Sequence, residues 1–324
     1  SICRKLYRIH NLHNSLPLKN LTDRISCCST LAFVPKCQPI GDKELSELEN
    51  FVNKSNKICV LTGAGISTES GIPDYRSEGV GLYARSNRRP VLYKEFCESE
   101  KTRRRYWARN YVGWPRFSSF APNVTHNILK QLEEEGKVSC IVTQNVDNLH
   151  LKAGSKNVIE LHGTAFRVMC LNCDNKISRY ELQKIMEESN KDMKAEAQMM
   201  RPDGDVELSQ DQVENFVVPS CDNCGGVLKP DIVFFGDNVP RVRVDRVKHE
   251  VESADSLLVL GSSLSVFSGL RIILQAVEAK KPISIVNIGQ TRGDQYAQVK
   301  IAGRCGEILP KIYMLNIFPD FNLY

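Results

Sequence analysis

Polar residues suited to ligand binding follow four short apolar runs in this chain of 324 residues. Parallel strands buried on both faces are apolar throughout, and ligands bind beyond their carboxyl ends. The clusters therefore predict one shared site, and their glycines, which let a backbone approach a pyrophosphate, favour a nucleotide. The four clusters are Gly63, Ala64 and Gly65; Gln144, Asn145, Val146 and Asp147; Gly261, Ser262 and Ser263; and Asn287, Ile288 and Gly289.

The first glycine cluster is only part of a dinucleotide fingerprint. Thr68 stands where a third glycine would complete G-x-G-x-x-G, and no acidic residue closes a second strand about 20 residues further on. These departures weaken the interpretation as a hydride-transferring dehydrogenase. Taken alone, the glycines are equally compatible with a tight turn between a strand and a helix.

A general base is predicted near the second polar cluster. Burying Gln144, Asn145 or Asp147 without partners costs about 1–3 kcal/mol each, and a ligand amide and ribose hydroxyls would supply those partners. His162 follows an apolar run and precedes Gly163. An imidazole with an ordinary pKa of about 6.5 can accept a proton near neutral pH, although a core histidine is the alternative. For His126, His150 and His249 we expect only structural roles.

Two C-x-x-C pairs predict a zinc site. Each pair aims two thiolates at one point, and four cysteine ligands close a tetrahedral site that is structural rather than catalytic. The pairs lie further apart than the roughly 15 to 20 residues of simple zinc ribbons, which indicates an insertion between them. A redox dithiol is the alternative. The predicted ligands are Cys170, Cys173, Cys221 and Cys224.

Alternating strand and helix patterns predict an α/β fold with a doubly wound, Rossmann-like parallel sheet and a smaller inserted zinc module. The larger domain spans 41–165 and 230–315, with a helical insertion at about 72–122, a zinc module at 166–229 and a tail at 316–324. A helix is expected to open at Gly63. Other helices are predicted at 42–54, 123–135 and 269–279, and strands at 57–62, 139–143, 231–235, 256–260 and 282–287, with a further strand that ends at 159–163.

The first 40 residues differ from the rest in being basic, with one acid, Asp23, before Cys37. This composition predicts a mitochondrial transit segment and a matrix location, with a disordered basic tail as the alternative, and a fold that begins near Gly41. The net charge of +5, with 38 acidic residues, does not indicate nucleic-acid binding. No apolar run reaches 18 residues, so we expect no membrane span.

Several short motifs follow one another along the chain: GAGIS at 63–67, GIPDYRS at 71–77, TQNVD at 143–147, His162-Gly163, the four cysteines, KPDIVFFGD at 229–237 and GSSL at 261–264. In this order they resemble the motifs of the sirtuins, and the resemblance extends from about Gly41 to Leu315. VGLYAR at 80–85, RRRYWARNYVGWP at 103–115 and the long insertion are most similar to the mitochondrial class II branch of that family.

The resemblance implies that NAD is a consumed co-substrate. An acyl group would pass from lysine to ADP-ribose with release of nicotinamide, with His162 as the general base and with Asn145 and Asp147 binding the nicotinamide amide. The residues implied to contact NAD are Gly63, Ala64, Gly65, Ile66, Asp74, Tyr75, Arg76, Gln144, Asn145, Val146, Asp147, Gly261, Ser262, Ser263, Asn287, Ile288, Gly289 and Cys305.

Acyl-lysine side chains of mitochondrial proteins are the implied partners of a chain that we expect to be a monomer. Tyr83-Ala84-Arg85 has a shorter spacing than the Tyr-x-x-Arg of carboxylate-binding sirtuins, but Arg85 could still pair with a carboxylate, so longer or carboxylated acyl groups are expected. The predicted substrate contacts are Tyr83, Arg85, Val233, Phe234, Phe235, Gly236 and Val266.

The sequence leaves open the position of one segment and two alternative functions. The Met-bearing segment 189–207 either reaches the acyl channel or forms a surface loop, and we favour the loop. The same site would also serve a protein mono-ADP-ribosyltransferase, in which another nucleophile intercepts the ribose carbon. A non-catalytic module that binds NAD or protein is the third class, and the intact His162, Asn145 and Asp147 argue against it.

Overall fold

A six-stranded parallel sheet organises the computed structural model, which describes residues 31–85, 90–193, 201–206 and 208–317. The strand order β3-β2-β1-β7-β8-β9 is that of a doubly wound sheet. A smaller antiparallel sheet has the order β5-β4-β6. The strands are β1 (Ile58–Thr62), β2 (Val138–Thr143), β3 (Val158–Glu160), β4 (Gly163–Cys170), β5 (Lys176–Ser178), β6 (Leu228–Ile232), β7 (Ser256–Leu260), β8 (Ile283–Val286) and β9 (Val299–Ile301).

Helices cover both faces of the parallel sheet and build most of the smaller unit. Among the described residues, none of these helices is both long and apolar enough to cross a bilayer. They are α1 (Asp42–Lys54), α2 (Leu82–Arg85), α3 (Tyr93–Glu98), α4 (Glu100–Ser119), α5 (Val124–Glu134), α6 (Leu149–Ala153), α7 (Arg179–Ser189), α8 (Gln210–Glu214), α9 (Arg241–Ser253), α10 (Phe267–Glu278) and α11 (Cys305–Ile317), with 3-10 helices at Ala64–Ser70 and Asp294–Tyr296.

Each central strand is buried on both faces because its alternate side chains enter two separate cores. On β1, Ile58 and Val60 pack with α1, α5 and α11, whereas Cys59 and Leu61 pack with α9 and α10. Successive side chains of a strand point to opposite faces, which explains why these strands read as continuous apolar runs. This arrangement confirms the predicted doubly wound fold.

The smaller unit has its own core, which is rich in aromatic side chains. Phe96, Trp107 and Trp114 are buried there, together with Val168 of β4 and Leu228 of β6. The Trp107 indole N–H donates to the Leu228 carbonyl oxygen at 3.0 Å, so α4 is fixed directly to the antiparallel sheet. The unit therefore has a rigid base beside the parallel sheet.

The strand predicted at 231–235 was misplaced. The structure has β6 at Leu228–Ile232, where it pairs antiparallel with β4 rather than entering the parallel sheet. The close approach of β4 and β6 depends on Gly163, whose φ is +82° and where an added Cβ would lie 1.9 Å from the Asp231 carbonyl oxygen. The chain thus returns to the parallel sheet only at α9 and β7.

The segment after β1 also differs from expectation. Ala64–Ser70 forms a 3-10 helix rather than an α-helix, and the Ile66 N–H donates to the Gly63 carbonyl oxygen three residues earlier. Gly71, with φ of +92°, ends it in the left-handed region. The tighter turn keeps Gly63 and Gly65 pressed against the end of β7.

Candidate active site

A cleft of about 960 Å³ opens at the carboxyl edge of the parallel sheet, between that sheet and the smaller unit. Thr62 of β1 lies in register with Thr143 of β2 and with Leu260 of β7, and Leu260 lies in register with Val286 of β8. The four polar clusters each begin at the next residue. They are therefore brought together, as predicted, where the strand order reverses between β1 and β7.

Glycines at the base of the cleft allow the protein backbone to approach a ligand closely. A Cβ added to Gly63 would lie 2.7 Å from the Gly261 carbonyl oxygen, and one added to Gly65 would lie 2.8 Å from the same atom. Because these neighbours are backbone atoms, neither position accepts a side chain without displacement of the loop. This cradle fits the pyrophosphate of a dinucleotide.

Asn145 and Asp147 are held rigidly under the cleft by Ser67. The Ser67 hydroxyl donates to Asp147 Oδ2 at 2.7 Å, and Asn145 Nδ2 donates to the Gly63 carbonyl oxygen at 3.0 Å and to Ser67 Oγ at 3.1 Å. Burial raises the pKa of Asp147, and the bonds from Ser67 and from the Leu149 N–H lower it. Both side chains are thus fixed before any ligand enters.

His162 lies between β3 and β4 with its two ring nitrogens in different environments. Nδ1 is 2.9 Å from the Gln144 carbonyl oxygen, and Nε2 is 2.7 Å from Ser268 Oγ. A carbonyl oxygen can only accept, so Nδ1 carries the proton of the neutral ring, and the Nε2 lone pair accepts a hydrogen bond from the Ser268 hydroxyl. Burial lowers the pKa of His162, which favours this neutral form.

The rest of the cleft wall comes from the loops after β7 and β8 and from the start of α11. Gln144 Nε2 donates to Ser262 Oγ at 2.7 Å, and Asn287 Nδ2 donates to the Gly289 carbonyl oxygen at 2.8 Å. Burial raises the pKa of Cys305 to about 12, so its thiol is neutral. Cys305 is therefore a packing element of the wall rather than a nucleophile.

Most of the residues predicted to contact NAD or substrate line this cleft. Ile66 does not, because its side chain is buried in the core beneath β1. Tyr83 and Arg85 also lie outside the lining. Tyr83 packs against Tyr75 with ring centroids 5.9 Å apart, and the Arg85 guanidinium lies 5.0 Å from the Phe33 ring centroid. The structure therefore does not place Arg85 where it could meet an acyl group.

Other residues line the cleft that the sequence patterns did not reveal. Val34, Pro35 and Lys36 lie in its wall, although the fold was expected to begin near Gly41. Arg201 and Asp205 line it as well, so the favoured surface-loop interpretation of 189–207 was wrong for this part; Met199 and Met200 fall outside the described residues. Ser67 lies within the GAGIS motif, which is a signal in the sequence for its role, whereas no sequence signal marks Ser268.

The four predicted zinc ligands converge on one point, with all four sulfur atoms within 4.8 Å of one another. The Sγ atoms of Cys170 and Cys224 are 3.5 Å apart and those of Cys173 and Cys221 are 3.8 Å apart. A tetrahedron with Zn–S bonds of about 2.3 Å has edges of about 3.8 Å, so the set fits zinc. The Asn175 side-chain amide donates to Cys221 Sγ at 3.5 Å and orients that ligand.

Comparison with known proteins decides the family. The Sir2 family profile matches residues 63–268. The chain belongs to the Sir2 family. The Drosophila melanogaster "NAD-dependent protein deacylase Sirt4" is 54% identical over 281 residues, which cover 87% of this chain and 90% of that protein. The Homo sapiens "NAD-dependent protein lipoamidase sirtuin-4, mitochondrial" is 53% identical over 295 residues, covering 91% and 94% respectively.

A solved Sir2 structure with a p53 peptide and NAD+ is similar to this sirtuin, with a TM-score of 0.67 and 31% identity over 85% of this chain and 99% of the other. Together with the relatives, this similarity establishes an NAD-dependent protein lysine deacylase that uses NAD as co-substrate. In this sirtuin the glycine cradle and the polar clusters form one cleft. These similarities exclude the interpretation of the chain as a hydride-transferring dehydrogenase and its interpretation as a non-catalytic module.

Proposed function

We propose that this sirtuin removes longer or carboxylated acyl groups from lysines of proteins in the mitochondrial matrix. The observation that carries the acyl preference is the wall that the smaller unit gives to the cleft, where Ile72, Tyr106 and Phe234 are buried. Apolar surface of this kind stabilises a long chain by about 0.8 kcal/mol for each buried CH₂. The human and Bos taurus relatives are named lipoamidases, which fits a long acyl group.

In this proposal the fixed polar residues have separate roles in the reaction. Asn145 and Asp147 hold the nicotinamide amide, while the acyl oxygen of the substrate replaces nicotinamide on the ribose. A ribose hydroxyl would then replace the Ser268 hydroxyl at Nε2 of His162 and give its proton to that nitrogen, which lets the ribose oxygen attack the bound acyl group. The hydrogen bond from Nδ1 to the Gln144 carbonyl oxygen keeps the ring in the tautomer that this step requires.

The pH dependence of kcat/KM should report this base. Because burial lowers the pKa of His162, the residue is neutral and active down to a pH below the ordinary value of about 6.5. We expect kcat/KM to be flat around neutral pH and to fall in acid with a midpoint below 6.5. An acid limb centred above pH 7, with an unperturbed substrate, would contradict the assignment.

A panel of acyl groups on one peptide sequence tests the proposed preference. We expect kcat/KM for lipoyl-lysine to exceed that for acetyl-lysine by at least about tenfold, since several additional CH₂ groups are buried, and glutaryl-lysine in the same panel tests the carboxylated part of the preference. Nicotinamide release with each peptide gives the rates. Mass spectrometry of the freed lysine peptide checks independently that the acyl group has been removed. Acetyl-lysine as the best substrate would overturn the preference.

The proposed matrix location rests on the basic segment before Cys37 and on relatives with "mitochondrial" in their names. Because Val34, Pro35 and Lys36 line the cleft, removal of a transit segment would have to occur before them to leave the wall intact. Import of the full chain into isolated mitochondria, followed by sequencing of the new N-terminus, tests both points. A chain that stays outside the organelle would contradict the location.

A further inference from the structure

The turn from Arg201 to Val206 packs into the cleft wall as a fixed element. The Arg201 N–H donates to the Asp205 carbonyl oxygen at 2.8 Å, and the Gly204 N–H donates to the Arg201 carbonyl oxygen at 3.0 Å. Gly204, with φ of +82°, lies against the Phe117 ring of α4. A turn bonded internally and packed on a helix holds its side chains in defined positions.

Two buried hydrogen-bond donors in this wall lack a partner. Arg201 is 5% exposed and Tyr106 is 4% exposed, and both line the cleft. Arg201 Nη2 and the Tyr106 hydroxyl make no hydrogen bond within the part of the chain that the structure describes. A buried polar group without a partner is costly, and a ligand in the cleft can supply the missing acceptor.

The ion pairs of Arg201 leave it able to bind a further anion. Its Nε is 3.5 Å from Asp205 Oδ2, but Asp205 is shared, because Arg109 Nε lies 3.3 Å from Oδ1. Burial raises the pKa of Asp205, and the guanidiniums of Arg109 and Arg201 lower it. The half-buried Asp203 is the other acid of this turn in the wall. Arg201 therefore retains donors and charge for a second carboxylate.

We propose that Arg201, together with the Tyr106 hydroxyl, binds the distal carboxylate of a dicarboxylic acyl group and is a specificity-determining residue of this deacylase. A guanidinium offers its N–H donors in a planar fork that suits a carboxylate. This assignment rests on the proposed function, and it replaces Arg85 as the residue that recognises the charge. Arg85 also has buried donors without a partner, but it faces Phe33 outside the cleft.

The test compares two acyl groups of similar length on one peptide, glutaryl-lysine and pentanoyl-lysine, which differ in the terminal carboxylate. In the zinc-loaded full chain, Arg201→Met should lower kcat/KM for glutaryl-lysine by about 10- to 100-fold, mainly through KM, and change that for pentanoyl-lysine by less than about twofold. Tyr106→Phe should have a smaller effect in the same direction. Arg85→Met is the matched control and should leave the ratio of the two substrates unchanged.

Several outcomes would overturn the assignment. Equal losses on both acyl groups in folded Arg201→Met protein would make Arg201 structural, and a change of the ratio in Arg85→Met alone would return the role to Arg85. If Arg201→Met does not fold, Tyr106→Phe must still shift the ratio, and an unchanged ratio there contradicts the proposal. Wild-type cleavage of pentanoyl-lysine but not glutaryl-lysine defeats this inference alone, whereas cleavage of neither defeats the proposed function as well.

Discussion

His162→Ala should lower kcat by at least about 100-fold while the protein stays folded, the typical effect of removing a general base. His162 places Nε2 on the cleft side, and the hydrogen bond between Nδ1 and the Gln144 carbonyl oxygen fixes the ring. Among the described residues, no other histidine lines the cleft. The effect should therefore be specific to this position.

The measurement is the rate of lysine deacylation at saturating NAD and peptide, with the melting temperature recorded for each variant. His249→Ala is a suitable control, because His249 is exposed on α9 and is not among the residues that line the cleft. We expect that variant to retain wild-type turnover. Unchanged deacylation in folded His162→Ala protein would remove His162 from the mechanism.

Loss of zinc should affect stability before it affects chemistry. The four cysteine sulfur atoms lie within 4.8 Å of one another and form a closed site. The second cysteine pair is followed directly by β6, which pairs with β4. Zinc binding at a closed site contributes directly to folding. Cys221→Ser should therefore lower the free energy of unfolding by more than about 3 kcal/mol. The metal content should fall from one zinc per chain to well below that value.

Cys37→Ser provides the matched control, because Cys37 lies outside the four-cysteine cluster. Denaturant unfolding and metal analysis of both variants, beside the wild type treated with a chelator, separate loss of metal from loss of a thiol. A Cys221→Ser protein with wild-type stability and full activity would contradict a structural zinc site.

The sequence was sufficient to predict the features that depend on local patterns. Strands buried on both faces appear as apolar runs, so β1, β2, β7 and β8 and the polar residues after them could be located. The zinc cysteines were equally clear, because each pair lies in one tight turn. His162 was found because it follows the apolar run that includes β3.

Features that depend on packing between distant segments were not predicted. The pairing of β6 with β4 follows from the close approach at Gly163, for which the run at 231–235 carries no signal. Arg85 and Arg201 could not be distinguished from composition, because each is an arginine beside apolar residues. Only the packing of Gly204 on Phe117, and of Arg85 on Phe33, decides which of them faces the cleft.

The most direct test of the central claim is the product balance of a single reaction with NAD and an acyl-lysine peptide. We expect one nicotinamide and one acyl-ADP-ribose for every lysine that is freed, followed together by mass spectrometry. His162→Ala should reduce the freed lysine and the acyl-ADP-ribose together, because the step that needs His162 follows the release of nicotinamide. Release of nicotinamide with ADP-ribose attached to protein and with the acyl-lysine unchanged would contradict the account, and would assign the cleft to ADP-ribosyl transfer instead.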